Sequence, residues 1–181
     1  MKNYVVIKMP EKPASSYRKQ DGQPYTRKEY ITGLPGNRIT FYEEGDPDKE
    51  YPIELSLESK EKGQIRHTAL ESARVSANRY MMKTAGEENY YLKLRVYPHQ
   101  VLRENPIALG AGADRISDGM RKSFGRPVSL AARISDGQKI LSIKTPREFY
   151  KAGRESLRRA KMKLPLTAKI SLDKGAEMIS S

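Results

Sequence analysis

The chain has 181 residues, 37% of them hydrophobic, and carries 34 Lys and Arg against 22 Asp and Glu, a net charge of +12. That length suits one domain with tails and a modest core, and the charge belongs to the class of proteins that meet polyanions. With no cysteine, disulfides, thiolate catalysis and Cys-based metal sites are excluded; no apolar run nears the roughly 20 residues that span a bilayer and the N-terminus lacks a signal-peptide core, so the chain reads as intracellular and soluble, or embedded in RNA.

Residues 10–37 read as an irregular basic arm, interrupted by Pro10, Pro13, Pro24 and Pro35 with Gly22, Gly33 and Gly36 among them. Tyr17-Arg18-Lys19 and Tyr25-Thr26-Arg27-Lys28 interleave rings and cations, as segments lying along nucleic acid do; spacing alone leaves an ordinary flexible arm equally open. Strands are expected over 38–43 and 53–58, the second from its strict alternation, with a turn at 45–48 between them. A helix follows over 66–84, with Ala69, Leu70, Ala73, Ala77, Tyr80 and Met81 on one stripe and Gly86 as its terminator. Arg79 and Lys83 stand one turn apart on its other side. Residues 90–97 predict a strand that turns Tyr90, Leu92, Leu94 and Val96 inward. Its other face offers two rings and two cations, Tyr91, Lys93, Arg95 and Tyr97, before Pro98 ends it.

Residues 103–127 predict a long glycine-rich loop in which small residues dominate and arginines recur. A loop of that length inside a compact domain is usually functional or disordered; a short helix over 117–123 fits its middle. A hairpin is expected next, with strands over 128–134 and 139–144 around the turn pair Asp136-Gly137. The last helix, over 147–164, would bury Phe149, Gly153, Leu157, Ala160 and Leu164 and show a basic stripe of Lys151, Arg154, Arg158 and Lys161. Merely solvated faces mix signs, and Glu155 falls outside this stripe. Pro165 stops the helix, residues 167–172 return as a strand, and a tail over 173–181 frays.

Catalytic chemistry finds little support. Gly110-Ala111-Gly112 begins like a dinucleotide fingerprint, but Arg115 stands where the third glycine belongs. Glu104, Asp114 and Asp118 suit a hard cation, yet each has an arginine nearby and reads better as internally ion-paired. His67, near a helix start, and His99, just past a strand, read as surface or capping groups. Neither a cofactor nor a metal is expected.

Several stretches, taken in order, resemble one family. They are Pro24-Tyr25-Thr26-Arg27-Lys28-Glu29-Tyr30-Ile31 with Gly33-Leu34-Pro35-Gly36; Ala69-Leu70-Glu71-Ser72-Ala73-Arg74 through Ala77-Asn78-Arg79-Tyr80; and Arg95-Val96-Tyr97-Pro98-His99 with Val101-Leu102-Arg103-Glu104-Asn105. The most specific is Gly110-Ala111-Gly112-Ala113-Asp114-Arg115, followed by Asp118-Gly119-Met120-Arg121 and Phe124-Gly125-Arg126-Pro127, and Leu157-Arg158-Arg159-Ala160-Lys161-Met162-Lys163-Leu164-Pro165 completes the pattern. Together they are similar to the archaeal and eukaryotic large-subunit ribosomal protein family L10e, the counterpart of bacterial L16, over about residues 12–172. Val128-Ser129-Leu130 departs from the Gly-Thr of relatives at that place.

The resemblance implies an α+β fold, a two-layer sandwich of helices on a mainly antiparallel sheet. An irregular basic arm over 1–37 would precede an RNA-binding domain over 38–172, with a protruding loop at 103–121 and a flexible tail from 173. It implies a seat in the large subunit of the cytoplasmic ribosome, near the peptidyl-transferase centre. The partners would be large-subunit ribosomal RNA, tRNA and neighbouring ribosomal proteins, with no membrane and no obligate homo-oligomer. Contacts to ribosomal RNA fall by position to Tyr17, Arg18, Lys19, Tyr25, Arg27 and Lys28 in the arm, and to Arg79, Lys83, Lys122, Arg126, Lys151, Arg154, Arg158, Arg159 and Lys161 in the body. The tRNA-facing loop would use Arg103, Asn105, Gly110, Gly112, Asp114, Arg115, Asp118 and Arg121, its small residues letting it pass between crowded backbones. Peptide transfer is RNA chemistry, so no catalytic residue is implied. A regulatory RNA-binding protein working off the ribosome and, third, a metal-dependent nuclease stand as the alternatives.

Overall fold

The computed structural model describes residues 28–31, 33–105, 107, 110–115, 117–121 and 123–179. They form strands β1 (Glu43–Gly45), β2 (Ile53–Ser59), β3 (Gly63–Arg66), β4 (Tyr91–Leu94), β5 (Gln100–Glu104), β6 (Arg126–Ile134), β7 (Lys139–Thr145) and β8 (Ala168–Lys174). The helices are α1 (His67–Ala85), α2 (Tyr150–Lys161) and the short α3 (Ala176–Ile179). The class is α+β, but the sheet is double: β1-β4-β7-β2-β8 form one and β3-β6-β5 the other, with every pairing antiparallel.

The expected hairpin of β6 and β7 does not form. The Asp136-Gly137 turn is present, with Gly137 at φ 72°, but it carries the chain from one sheet to the other. β6 pairs with β3 and β5, and β7 with β2 and β4. The turn docks instead on the end of β2, where Gly137 N–H donates to Ser59 O at 2.9 Å and Ser59 N–H to Gln138 O at 3.0 Å. Other boundaries move: the strand expected over 38–43 begins only at Glu43, β4 stops at Leu94, and the helix expected over 147–164 narrows to α2, while β3 and β5 occupy stretches not read as strands. The alternation outlives β4: Val96 is buried, while Arg95 and Tyr97 face out. No helix appears among the described residues of 117–123; the chain turns there instead.

One apolar cluster joins both layers. α1 buries Leu70, Ala73, Ala77 and Met81, and Gly86, at φ 79°, ends it by donating its N–H to Met82 O. Ala69 and Tyr80, expected on the same stripe, are only partly buried. α2 packs on α1, β2, β7 and β8. A Cβ at Gly153 would lie 3.1 Å from Leu55 Cδ1, so the missing side chain sets how closely α2 approaches the sheet.

A buried charge ties α1 to the segment before β1. Arg74 is 5% exposed; its guanidinium hydrogen-bonds Glu71 and Glu44 and donates to Thr40 Oγ1 at 3.1 Å. Hydrogen bonds from Arg74 hold the Glu71 carboxyl below the ordinary range, whereas burial lifts that of Glu44. His67 lies inside as well, its Nδ1 accepting the Arg38 N–H at 3.3 Å. It is a buried histidine of the core rather than the surface or capping group expected. His99 is exposed, with Nδ1 3.1 Å from Tyr97 O.

Candidate nucleic-acid interface

The cations of this chain divide by whether an acid answers them. On the outer face of the five-stranded sheet they are answered. Lys93 meets Glu43 at 2.6 Å, Arg95 meets Glu54 at 2.9 Å, Lys139 meets Asp173 at 2.8 Å and Lys169 meets Glu58 at 3.0 Å. Lys144 lies 5.6 Å from the centre of the Tyr91 ring. The register accounts for two of these pairs, because residues directly opposite on neighbouring antiparallel strands bring their side chains together: Glu43 stands across from Lys93, and Glu58 from Lys169. Lys139 and Asp173 meet from strands that each pair with β2, and Arg95 reaches Glu54 from just past β4. The two rings and two cations expected on the polar side of β4 are thereby largely used internally. Of the four, only Tyr97 offers an open ring, stacked on Tyr42 at 5.7 Å.

The helices differ. Arg79 and Lys83 on α1 and Lys151 and Arg154 on α2 are exposed, and none has an acidic partner among the described residues. Lys161 and Lys163 at the end of α2 are likewise unanswered. Glu155 does reach into the basic stripe, contrary to expectation. Arg158 Nε donates to it at 2.7 Å and Arg159 Nε at 3.2 Å, because residues three and four apart share a helix face. Hydrogen bonds from Arg158, then from Arg159, pull the Glu155 carboxyl down to about 2. One carboxylate between two guanidiniums leaves the cluster positive.

Where α1 meets the end of α2, a groove of about 660 Å³ opens, lined on α1 by Ser72, Val75, Ser76, Arg79, Tyr80 and Lys83 and from the end of α2 by Arg159 and Lys163. The Arg159 guanidinium lies over the Tyr80 ring at 4.1 Å. A smaller hollow of about 230 Å³, lined in part by Arg66 and Gln64, shares Lys163 with it. Neither Lys163 nor the Tyr80–Arg159 pairing was singled out from sequence. Lys163 stands just past the helix stripe, and the pairing joins positions on two helices that no local spacing connects.

Where β5 gives way to the glycine-rich stretch, and that stretch to β6, the chain is clamped. Arg103 lies over the Phe124 ring at 3.9 Å and donates to the Phe124 carbonyl. Gly125, at φ 80°, passes so close that a Cβ there would sit 3.0 Å from the Glu104 carbonyl carbon. Above the base, crowding is not what requires glycine within this chain. Gly110, Gly112 and Gly119 have positive φ, and a Cβ on each would meet nothing within 4 Å. Their need is conformational: the chain turns where Ala113 N–H donates to Gly110 O, Arg115 N–H to Gly112 O and Arg121 N–H to Asp118 O. Arg115, Arg121 and, at the start of β6, Arg126 are exposed; Asn105 is half-buried and Asp118 exposed. Glu104 makes no ion pair among the described residues, and its Oε1 is buried without a hydrogen-bond partner, so the expected pairing with an arginine fails there.

Tyr17, Arg18, Lys19, Tyr25, Arg27 and Lys122 lie outside the described residues, as do the side chains of Lys28 and Asp114. Among the described residues no group of His, Asp and Glu could hold a metal ion, and no helix is long and apolar enough to cross a membrane.

A family model described as Ribosomal protein L16p/L10e matches residues 20–171. The curated protein "Large ribosomal subunit protein uL16" of Archaeoglobus fulgidus is 49% identical over 171 residues, covering 94% of this chain and 98% of that protein. The protein of the same name from Methanocella arvoryzae is 48% identical over 94% of this chain and 99% of its own length. That from Staphylothermus marinus is 49% identical over 90% and 93% respectively.

Proposed function

The chain belongs to the ribosomal protein L16p/L10e family, a family of structural components rather than enzymes, and on that premise we propose that it is seated in the large subunit of the cytoplasmic ribosome by its unanswered cations. The helical surface carrying Arg79, Lys83, Lys151, Arg154, Lys161 and Lys163 lies against ribosomal RNA, with Arg158 and Arg159 contributing beside Glu155. The loop above the Arg103–Phe124 clamp reaches toward tRNA near the peptidyl-transferase centre and helps position aminoacyl-tRNA. Arg103 itself acts at the base of that loop; Arg115 and Arg121 carry charge further out. The arm residues Tyr17, Arg18, Lys19, Tyr25, Arg27 and Lys28, with Lys122 and Arg126, extend the RNA contact.

One observation carries this reading: cations are paired on the sheet face, whereas on the helical face Arg79, Lys83, Lys151, Arg154, Lys161 and Lys163 have no acidic partner among the described residues and Glu155 alone answers Arg158 and Arg159. Unanswered cations gathered on the helices, on a chain of net charge +12, are what a phosphate backbone neutralises. Two measurements on the full chain test it. Affinity for large-subunit ribosomal RNA is expected to fall steeply with salt, each phosphate contact adding roughly 0.7–0.9 to the log–log slope; a flat response would rule out an electrostatic seat. In cells, Ala at both Arg158 and Arg159 is expected to lower incorporation into large subunits. Deletion within 106–117 is expected to leave incorporation intact and slow tRNA accommodation. Equal incorporation of both variants with unchanged accommodation would end the proposed division of labour.

A further inference from the structure

We propose that the groove between α1 and the end of α2 is a pocket for one unpaired nucleotide of RNA, its base stacked on the Arg159 guanidinium and its phosphates held by Arg79, Lys83 and Lys163. The proposal rests on the RNA-binding reading above and narrows it from a charged surface to a site that requires a base. The first ground is the stack. Arg159 lies over Tyr80 at 4.1 Å, so one face of its guanidinium is already seated on a ring while its side chain stays 49% exposed. A planar cation backed by an aromatic ring is a platform for a further planar ring, and base stacking of this kind is tolerant of sequence.

The second ground is what surrounds the platform. Arg79, Lys83 and Lys163 rim the groove, exposed and without acidic partners among the described residues. Its one acid, Glu71, is engaged by Arg74 and by Thr40. Ser72 and Ser76 in its lining present hydroxyls that can donate to or accept from a base edge. The third ground is size: about 660 Å³ falls within the range of single small-ligand sites, enough for a nucleotide turned out of its strand. An acidic protein segment would use the cations but leave the stacked pair idle, and a paired helix would meet only the rim.

The test measures binding of the full chain to short RNAs of one length: oligoadenylate, the same backbone with abasic residues, and a duplex, with polyglutamate of matched charge as the non-nucleic control. Oligoadenylate is expected to bind roughly tenfold more tightly than the abasic strand, the scale of one base stack. Arg159→Lys, which keeps the charge and loses the plane, should erase that advantage, so that oligoadenylate and the abasic strand bind this variant alike. Lys83→Ala should weaken both strands alike. The variants sit at exposed positions, and circular dichroism checks that they remain folded. Equal binding of oligoadenylate, abasic strand and polyglutamate would make the groove a polyanion surface only and overturn the proposal while sparing the RNA-binding reading. So would an oligoadenylate preference that survives Arg159→Lys. Failure to bind any RNA would overturn both.

Discussion

The outer face of the five-stranded sheet and the helical face are both rich in lysine and arginine, yet the first pairs its cations widely while the second pairs only Arg158 and Arg159, both with Glu155. Across strands, a glutamate or aspartate meets each of four cations, and for Lys93 and Lys169 the register sets that partner directly opposite. On the helices, Arg79 and Lys83 are four apart and Lys151, Arg154 and Arg158 follow at three and four, spacings at which like charges repel by a few tenths of a kcal/mol per pair. The sheet face is arranged for the stability of the free protein. The helical face bears repulsion that a polyanion would relieve, and on the reading proposed above the difference between the two regions separates the RNA-facing side more clearly than total charge does.

That contrast can be broken at several points. The largest effect is expected where a matched charge is also buried. Arg74→Ala strands the Glu71 and Glu44 carboxylates and should cost about 3–5 kcal/mol in urea unfolding, with little direct effect on RNA affinity once folded. Next, Ala at Arg79, Lys83 and Lys163 together should lower affinity for ribosomal RNA about a hundredfold at low salt and flatten the salt slope by roughly two units. The same three-site replacement at Lys93, Lys139 and Lys169 should leave the slope unchanged; a similar loss on both faces would abolish the distinction.

Gly125→Ala forces a side chain into positive φ against the Glu104 backbone. It should destabilise the loop base by about 1–2 kcal/mol, read as faster amide exchange in β5 and β6. Smallest is Glu155→Gln, which frees Arg158 and Arg159 and should raise RNA affinity severalfold. Acid should not imitate it over the usual range. The carboxyl is depressed, so its ion pairs are complete above the ordinary carboxylate pKa and are lost only as pH falls through about 2. Affinity titrated from pH 7 to 5 should therefore show no step that Glu155→Gln removes.

Much of the frame was legible from periodicity. β2, the register of buried residues through 90–96, α1 with its Gly86 stop and the buried Gly153, Leu157 and Ala160 of α2 all follow from spacing along one segment, while Phe149 and Leu164, expected on the same stripe, fall outside α2 and are only partly buried. What spacing cannot convey is which segment lies beside which. Asp136-Gly137 correctly announces a turn, but a turn does not say whether its flanks pair or part, and here they part into different sheets. β5 hid between Pro98 and Pro106 as five residues with polar ends. The neutral sheet face was unreadable for the same reason: Lys139 and Asp173 become neighbours only through strands that each pair with β2. Within the candidate site, exposed positions such as Arg79, Lys83 and Arg154 were foreseeable from one helix. Arg158's tether to Glu155 was misjudged because Glu155, though outside the basic stripe, stands three residues from Arg158 and four from Arg159, close enough on the helix surface for its carboxylate to reach both.

β2 sits mid-sheet between β7 and β8, and Ser56 reaches Asp173 across 117 positions. During synthesis, one flank of β2 therefore stays bare until Lys174 has cleared the exit tunnel. Closure of so distant a pair is the slow kind of folding event, and an open strand edge invites pairing with another molecule. Chains released before that final strand docks are the ones exposed to aggregation, and the hazard ends with the last register of backbone bonds.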